Sequence, residues 1–113
     1  MLSLGCFFTK TFANDTLQYT NQLLFACYDD NSDYDKIADL IIKGADVNAV
    51  DATGMTPLLF AAARKSDERI INALIFAGAE VNKTNKEGYN ALVFAVLNNK
   101  NPKIISSLVK NGA

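Results

Sequence analysis

Apolar side chains fall into two recurring segments along the chain. One is a dense tetrapeptide: Leu23-Leu24-Phe25-Ala26, Leu58-Leu59-Phe60-Ala61 and Leu92-Val93-Phe94-Ala95. The other is a stripe stepped by three and four: Ile37, Leu40, Ile41, then Ile71, Leu74, Ile75, then Ile105, Leu108, Val109. Such steps put side chains on one face of a helix, whereas a half-buried strand needs steps of two. The polar residues between them read as helix punctuation. Asn21-Gln22, Thr56-Pro57 and Asn90-Ala91 precede the tetrapeptides, and Asp33, Asp67 and Asn101 precede the stripes. Asn, Thr and Asp accept hydrogen bonds from the free N–H groups of a first helical turn, and Pro57 and Pro102 fit the first helical position, where no N–H is needed. Asp35 and Glu68 set acid against the helix dipole. Gly44, Gly78 and Gly112 close each stripe, as a left-handed residue after a helix requires.

These anchors share one spacing. Gly44-Ala45, Gly78-Ala79 and Gly112-Ala113 lie 34 residues apart, Asp46-Val47-Asn48 returns as Glu80-Val81-Asn82, and Gly54 returns as Gly88. One unit is therefore a short inner helix, a loop, a longer outer helix and a Gly-bounded turn. The units run over about 14–46, 47–80 and 81–113. A lone helix pair has apolar surface on two sides, and stacked copies bury it against one another. The fold class is all-α, a solenoid of stacked helix-turn-helix units joined by Gly-bounded hairpin turns.

The middle unit carries a specific motif. Asp51-Ala52-Thr53-Gly54-Met55-Thr56-Pro57-Leu58, followed by Ala61-Ala62, Ile70-Ile71, Leu74-Ile75 and Gly78-Ala79-Glu80-Val81-Asn82, resembles the ankyrin repeat. The third unit keeps Gly88, Leu92, Ala95 and Gly112-Ala113; the first keeps Gly44 to Asn48, but Thr16 to Thr20 lacks the hairpin glycine. The chain departs from that family in three ways. Leu59 and Val93 stand where it carries His, which predicts added apolar contact in place of a side-chain hydrogen bond. The inter-helix glycine is replaced in the stretches Arg64-Lys65-Ser66 and Asn98-Asn99-Lys100. Each unit is also one residue longer than the usual ~33, with one further residue in the first unit's inter-helix loop.

The resemblance implies a non-enzymatic module that binds a partner protein with its hairpin tips and the exposed side of its inner helices, on a concave face. Position by position, that gives Val50, Ala52, Thr53, Met55, Ala63 and Arg64 in the second unit. In the third it gives Thr84, Lys86, Glu87, Tyr89, Leu97 and Asn98. Met55, Tyr89 and Arg64 are the expected anchors, because thioether, aromatic and guanidinium groups adapt well to a partner. The resemblance also marks Asn48 and Asn82, the turn asparagines that animal members of the family can carry hydroxylated. The sequence stops in phase with the repeat, at Gly112-Ala113. The alternatives to partner binding are accordingly a fragment of a longer array, or a structural segment that self-associates through its third repeat, with Val96 and Leu97 as the bare surface.

Composition removes most other chemistry. Half the residues are apolar, a fifth are charged, and 11 basic against 12 acidic side chains leave a net charge of −1. That gives no field to hold nucleic acid or an anionic membrane. The absence of His removes imidazole-based catalysis and His-liganded zinc. No phosphate-cradling or dinucleotide glycine motif is present, so no catalytic residue, metal or cofactor is expected. Asp29-Asp30-Asn31-Ser32-Asp33 lacks the glycine and terminal glutamate of a calcium loop and reads as a solvated capping loop. The scattered basic residues Arg64, Lys65, Lys83, Lys86 and Lys100 read as a solvated face. Cys27 reads as a small buried hydrophobe, with a bridge to Cys6 left open.

Residues 1–13 form an apolar segment with two readings. As a cap over the first repeat they favour a cytoplasmic protein; as the remnant of a signal peptide, short of basic residues, they imply export to the periplasm. No apolar run approaches the ~20 residues that a membrane-spanning helix needs.

Overall fold

The computed structural model describes residues 16–29, 31–99 and 101–113. The segment 1–13 and Cys6 lie outside the described residues. Among the described residues six helices follow in order: α1 over residues 16–28, α2 Tyr34–Ile42, α3 Pro57–Arg64, α4 Glu68–Phe76, α5 Ala91–Asn98 and α6 Pro102–Lys110. There is no strand among the described residues. α3 packs on α5, and α4 packs on both α2 and α6; α3 on α4 and α5 on α6 join the two layers. α1, α3 and α5 are the inner row, and α2, α4 and α6 the outer. None of these helices is long and apolar enough to cross a membrane.

The caps form as the side-chain chemistry requires. Thr56 Oγ1 accepts from Leu59 N at 3.2 Å, and Asn90 Oδ1 from Val93 N at 3.0 Å. Asp33, Asp67 and Asn101 accept from Lys36 N, Arg69 N and Lys103 N at 3.2, 3.0 and 3.0 Å. The first repeat differs from expectation. Asn21 does not begin a helix but lies within α1, which already includes Thr16. With no glycine in Thr16 to Thr20, that stretch winds as helix, and Thr20 Oγ1 donates to Thr16 O at 2.8 Å.

The core is one continuous cluster running from Leu23 to Leu108. Leu59, in the His position, is buried at 1% exposure, a full leucine transfer of about 1.5–3 kcal/mol. Val93 at the equivalent place is only half-buried. The outer stripes hold in the first two repeats, where Ile37, Leu40, Ile71 and Leu74 are buried. In the third, Ile104 and Leu108 take the core while Ile105 is half-buried and Val109 is 54% exposed. α4, which carries Ile71, packs on α6 on its far side; α6, which carries Ile105, has no further outer helix beyond it among the described residues.

The missing inter-helix glycine has a structural answer. Lys65 and Asn99, directly after α3 and α5, are extended rather than left-handed (φ −100°, ψ 134° and φ −95°, ψ 132°), so a side chain costs nothing there. Both side chains turn into the preceding repeat. Lys65 Nζ donates to the carbonyl of Asp29 and, at 2.8 Å, to that of Ser32. Asn99 Nδ2 donates to Ala62 O at 2.9 Å and Lys65 O at 2.6 Å, and Asn101 Nδ2 to Ser66 O at 2.6 Å. Lys65 is thus 5% exposed and belongs to the interior, not to the solvated basic face read from sequence.

Candidate protein-binding face

Two hairpins and three inner helices share one side of the molecule, and local hydrogen bonding fixes the hairpins. The Asp51 carboxylate accepts from Thr53 N, Thr53 Oγ1 and Met55 N at 2.9, 2.7 and 2.9 Å, while Asp51 N donates to Met55 O at 3.0 Å. Burial pushes the Asp51 carboxyl up, but these donors outweigh it and hold the group below its ordinary range. Asn85 does the same for the next hairpin, accepting from Glu87 N and Tyr89 N, both at 3.0 Å. The tips then join: Lys86 N donates to Thr53 O at 3.1 Å. Gly54, at φ +83°, is what lets them approach, because a Cβ there would sit 2.9 Å from Lys86 N.

Below the tips, the inner helices form a cleft of about 500 Å3 lined by Tyr28, Met55, Phe60, Ala63, Arg64, Phe94 and Asn98. Its aromatic rings come from α1, α3 and α5. Tyr28 and Phe60 meet edge to face at 5.6 Å between centroids, and Tyr89 and Phe94 at 5.8 Å. Arg64 stacks over the Tyr28 ring at 4.4 Å and donates through Nε to Tyr28 O at 2.6 Å. Its guanidinium is held in place instead of trailing in solvent.

Of the residues expected from sequence, the cleft brings together Met55, Ala63, Arg64 and Asn98, with Tyr89 adjoining through Phe94. Ala52, Thr53, Lys86 and Glu87 are exposed at the joined tips, and Val50 and Thr84 are exposed before them. Leu97 is 65% exposed and does not line the cleft. Met55 needs correction as a protruding anchor. It is only 9% exposed, sits in the core cluster, and its Sδ receives Asn85 Nδ2 at 3.6 Å. The reason is the hairpin: Met55 follows the turn glycine and is drawn under the next hairpin. Tyr28, Phe60 and Phe94 were missed as site residues. The signal for Phe60 and Phe94 was the Phe repeated at the third place of the tetrapeptide, with Ala63, Arg64 and Asn98 one helical turn further on the same face; Tyr28 stands in the first repeat where Ala63 stands in the second.

Asn48 and Asn82 serve the stack itself. Asn48 Nδ2 donates to Gly78 O and its Oδ1 accepts from Glu80 N, both at 2.9 Å; Asn82 Nδ2 donates to Gly112 O at 3.2 Å. Asp29 accepts from Asn31 N and Ser32 Oγ, and Asp33 caps α2, so this acidic stretch organises its own loop.

No curated protein matches the chain in sequence comparison. A family model for ankyrin repeats, in three copies, matches residues 23–113. That match covers most of the sequence and coincides with the three helix pairs, their left-handed glycines and their tip-to-tip hairpins. Repeats of this kind are generally protein–protein interaction modules and typically non-enzymatic. The chain belongs to the ankyrin-repeat family.

Proposed function

We propose that the protein captures a partner protein in the cleft formed by α1, α3 and α5, with the hairpin tips at its edge. The observation that carries this reading is the row of aromatic side chains contributed by three successive repeats to one open cleft. Phe60, Phe94, Tyr28 and Tyr89 offer large, stiff contact surfaces, and aromatic residues of this kind dominate binding energy where they are desolvated. Arg64, fixed on Tyr28, supplies donors at the rim. The exposed tip residues Ala52, Thr53, Lys86 and Glu87 contribute complementarity more than energy.

The test uses peptides selected from a displayed library on the immobilised protein. Ala63→Glu places a carboxylate on the half-buried cleft wall, and affinity for the selected peptides should fall at least tenfold while the helical circular dichroism is retained. Tyr89→Ala should weaken them about threefold to tenfold. Peptides that bind Ala63→Glu as tightly as the parent would reject the cleft as the binding site.

A further inference from the structure

The opposite side of the molecule carries an apolar feature that the cleft leaves unused. Between α2 and α4 runs a groove of about 490 Å3, lined by the small side chains Ala38, Ala73 and Ala77. Ile42 and Phe76, the last residues of the two helices, flank it at 83% and 95% exposure. Single exposed apolar side chains are ordinary, but two large ones beside one groove form the kind of patch that marks contact with another molecule. The feature is local, since Lys110 takes the place of Phe76 one repeat later.

We propose that this groove is a homodimer interface in which Phe76 of each copy enters the α2–α4 groove of the other beside Ile42. A two-fold contact requires one surface to be both projection and recess, and a protruding phenyl ring beside an alanine-lined groove meets that requirement. The internal repeat makes the two helices interchangeable in register: Asp35 and Ile42 of α2 correspond to Arg69 and Phe76 of α4. Laying α2 on α4 of the second copy, like ends together, sets Phe76 against Ile42 at one end and Asp35 against Arg69 at the other, twice over. Arg69 is already steadied for this, gripped by Asp67 at 2.8 Å and stacked on Tyr34 at 4.5 Å. The head-to-tail arrangement instead presses Phe76 onto the charged first turn of Glu68 and Arg69. The paired charges Asp35 and Arg69 find complements on a second copy but not on a lipid surface of one sign, which favours a second copy as the occupant. A standard interface buries ~800 Å2 per partner; two large side chains beside one groove fall short of that, so the dimer is weak, with a Kd on the order of 100 µM.

Sedimentation equilibrium on the Cys6→Ser chain, from about 10 µM to about 1 mM, should show the mass rising toward twice the monomer. Phe76→Asp removes an exposed side chain without touching the core, and should weaken association at least tenfold while the melting curve stays put. Mixing Ile42→Cys and Phe76→Cys chains under mild oxidation should give the mixed disulfide dimer in excess of either self-paired one. A monomer at the highest concentration, or association that survives Phe76→Asp and is lost with Leu97→Asp, overturns the proposal.

Discussion

The seam between the first and second repeats and the seam between the second and third are alike at one end and different at the other. At the Gly-bounded end both join the turns that follow successive outer helices with an asparagine: Asn48, after α2, reaches Gly78 O, after α4, and Asn82, after α4, reaches Gly112 O, after α6. At the inter-helix end the first seam is held by the Lys65 ammonium and the second by the Asn99 carboxamide. The backbone at the two positions is nearly identical, so the local conformation does not dictate the residue. The receiving loop does. The first repeat has one extra residue there, and its carbonyls at Asp29 and Ser32 are met by a long side chain. The second repeat offers the carbonyls of Ala62 and Lys65, which a short amide reaches. Loop length and staple length vary together.

Replacing the staples tests that pairing most severely. Lys65→Met keeps the aliphatic stem but loses two charge-assisted bonds, against the relief of a buried ammonium's desolvation. A loss of about 2–3 kcal/mol by urea unfolding is expected, or roughly 10–15 °C in Tm. Asn99→Ala breaks two neutral bonds across the seam and a third within the loop, from Asn101 N to Oδ1, and should cost about 1–2 kcal/mol. If Lys65→Met proves milder than Asn99→Ala, the charged staple is not the stronger one. At the matched end, Asn48→Ala should cost about 1 kcal/mol, because it releases both Gly78 O and Glu80 N.

Acid gives the smallest and most selective effect. The Arg69 guanidinium holds the Asp67 carboxyl below its ordinary value, with burial pulling the other way. A carboxyl lowered in the folded state contributes stability above its unfolded pKa of about 4, and that contribution is lost as pH falls through the folded value. Asp67 is partly exposed, so less than about 0.5 kcal/mol is at stake. The corresponding cap in the third repeat is Asn101, which does not titrate. Asp67→Asn should therefore leave stability at pH 7 nearly unchanged and flatten part of its fall below about pH 4, measured by urea midpoints.

Much of this was legible from residues. Caps and left-handed glycines are local devices, so Thr56, Asn90, Asp33, Gly44 and Gly78 announced themselves. The stripe of α4 was readable because that helix is flanked by α2 on one side and α6 on the other. Side chains that act across a seam were not. Lys65 looks like surface charge until the carbonyls of another repeat are beside it, and Met55 looks like a hairpin tip until the next hairpin closes over it. Within the candidate cleft, Ala63, Arg64 and Asn98 followed from family positions. The rings of Phe60 and Phe94 did not, because an apolar tetrapeptide reads as core whichever way its third residue points, and Tyr28, just beyond its tetrapeptide, belongs to no repeated motif.

Cys27 sits inside the core cluster with no measurable exposure, and burial pushes its thiol up to about 12, the nearby Lys65 ammonium drawing it only partway back. At neutral pH it is shielded twice, by lack of access and by a thiol that burial keeps protonated. In the Cys6→Ser background, a maleimide reaches it only in moments when the core around α1 opens. Its alkylation rate is therefore an internal clock for how often that part of the core breathes, legible without any added probe.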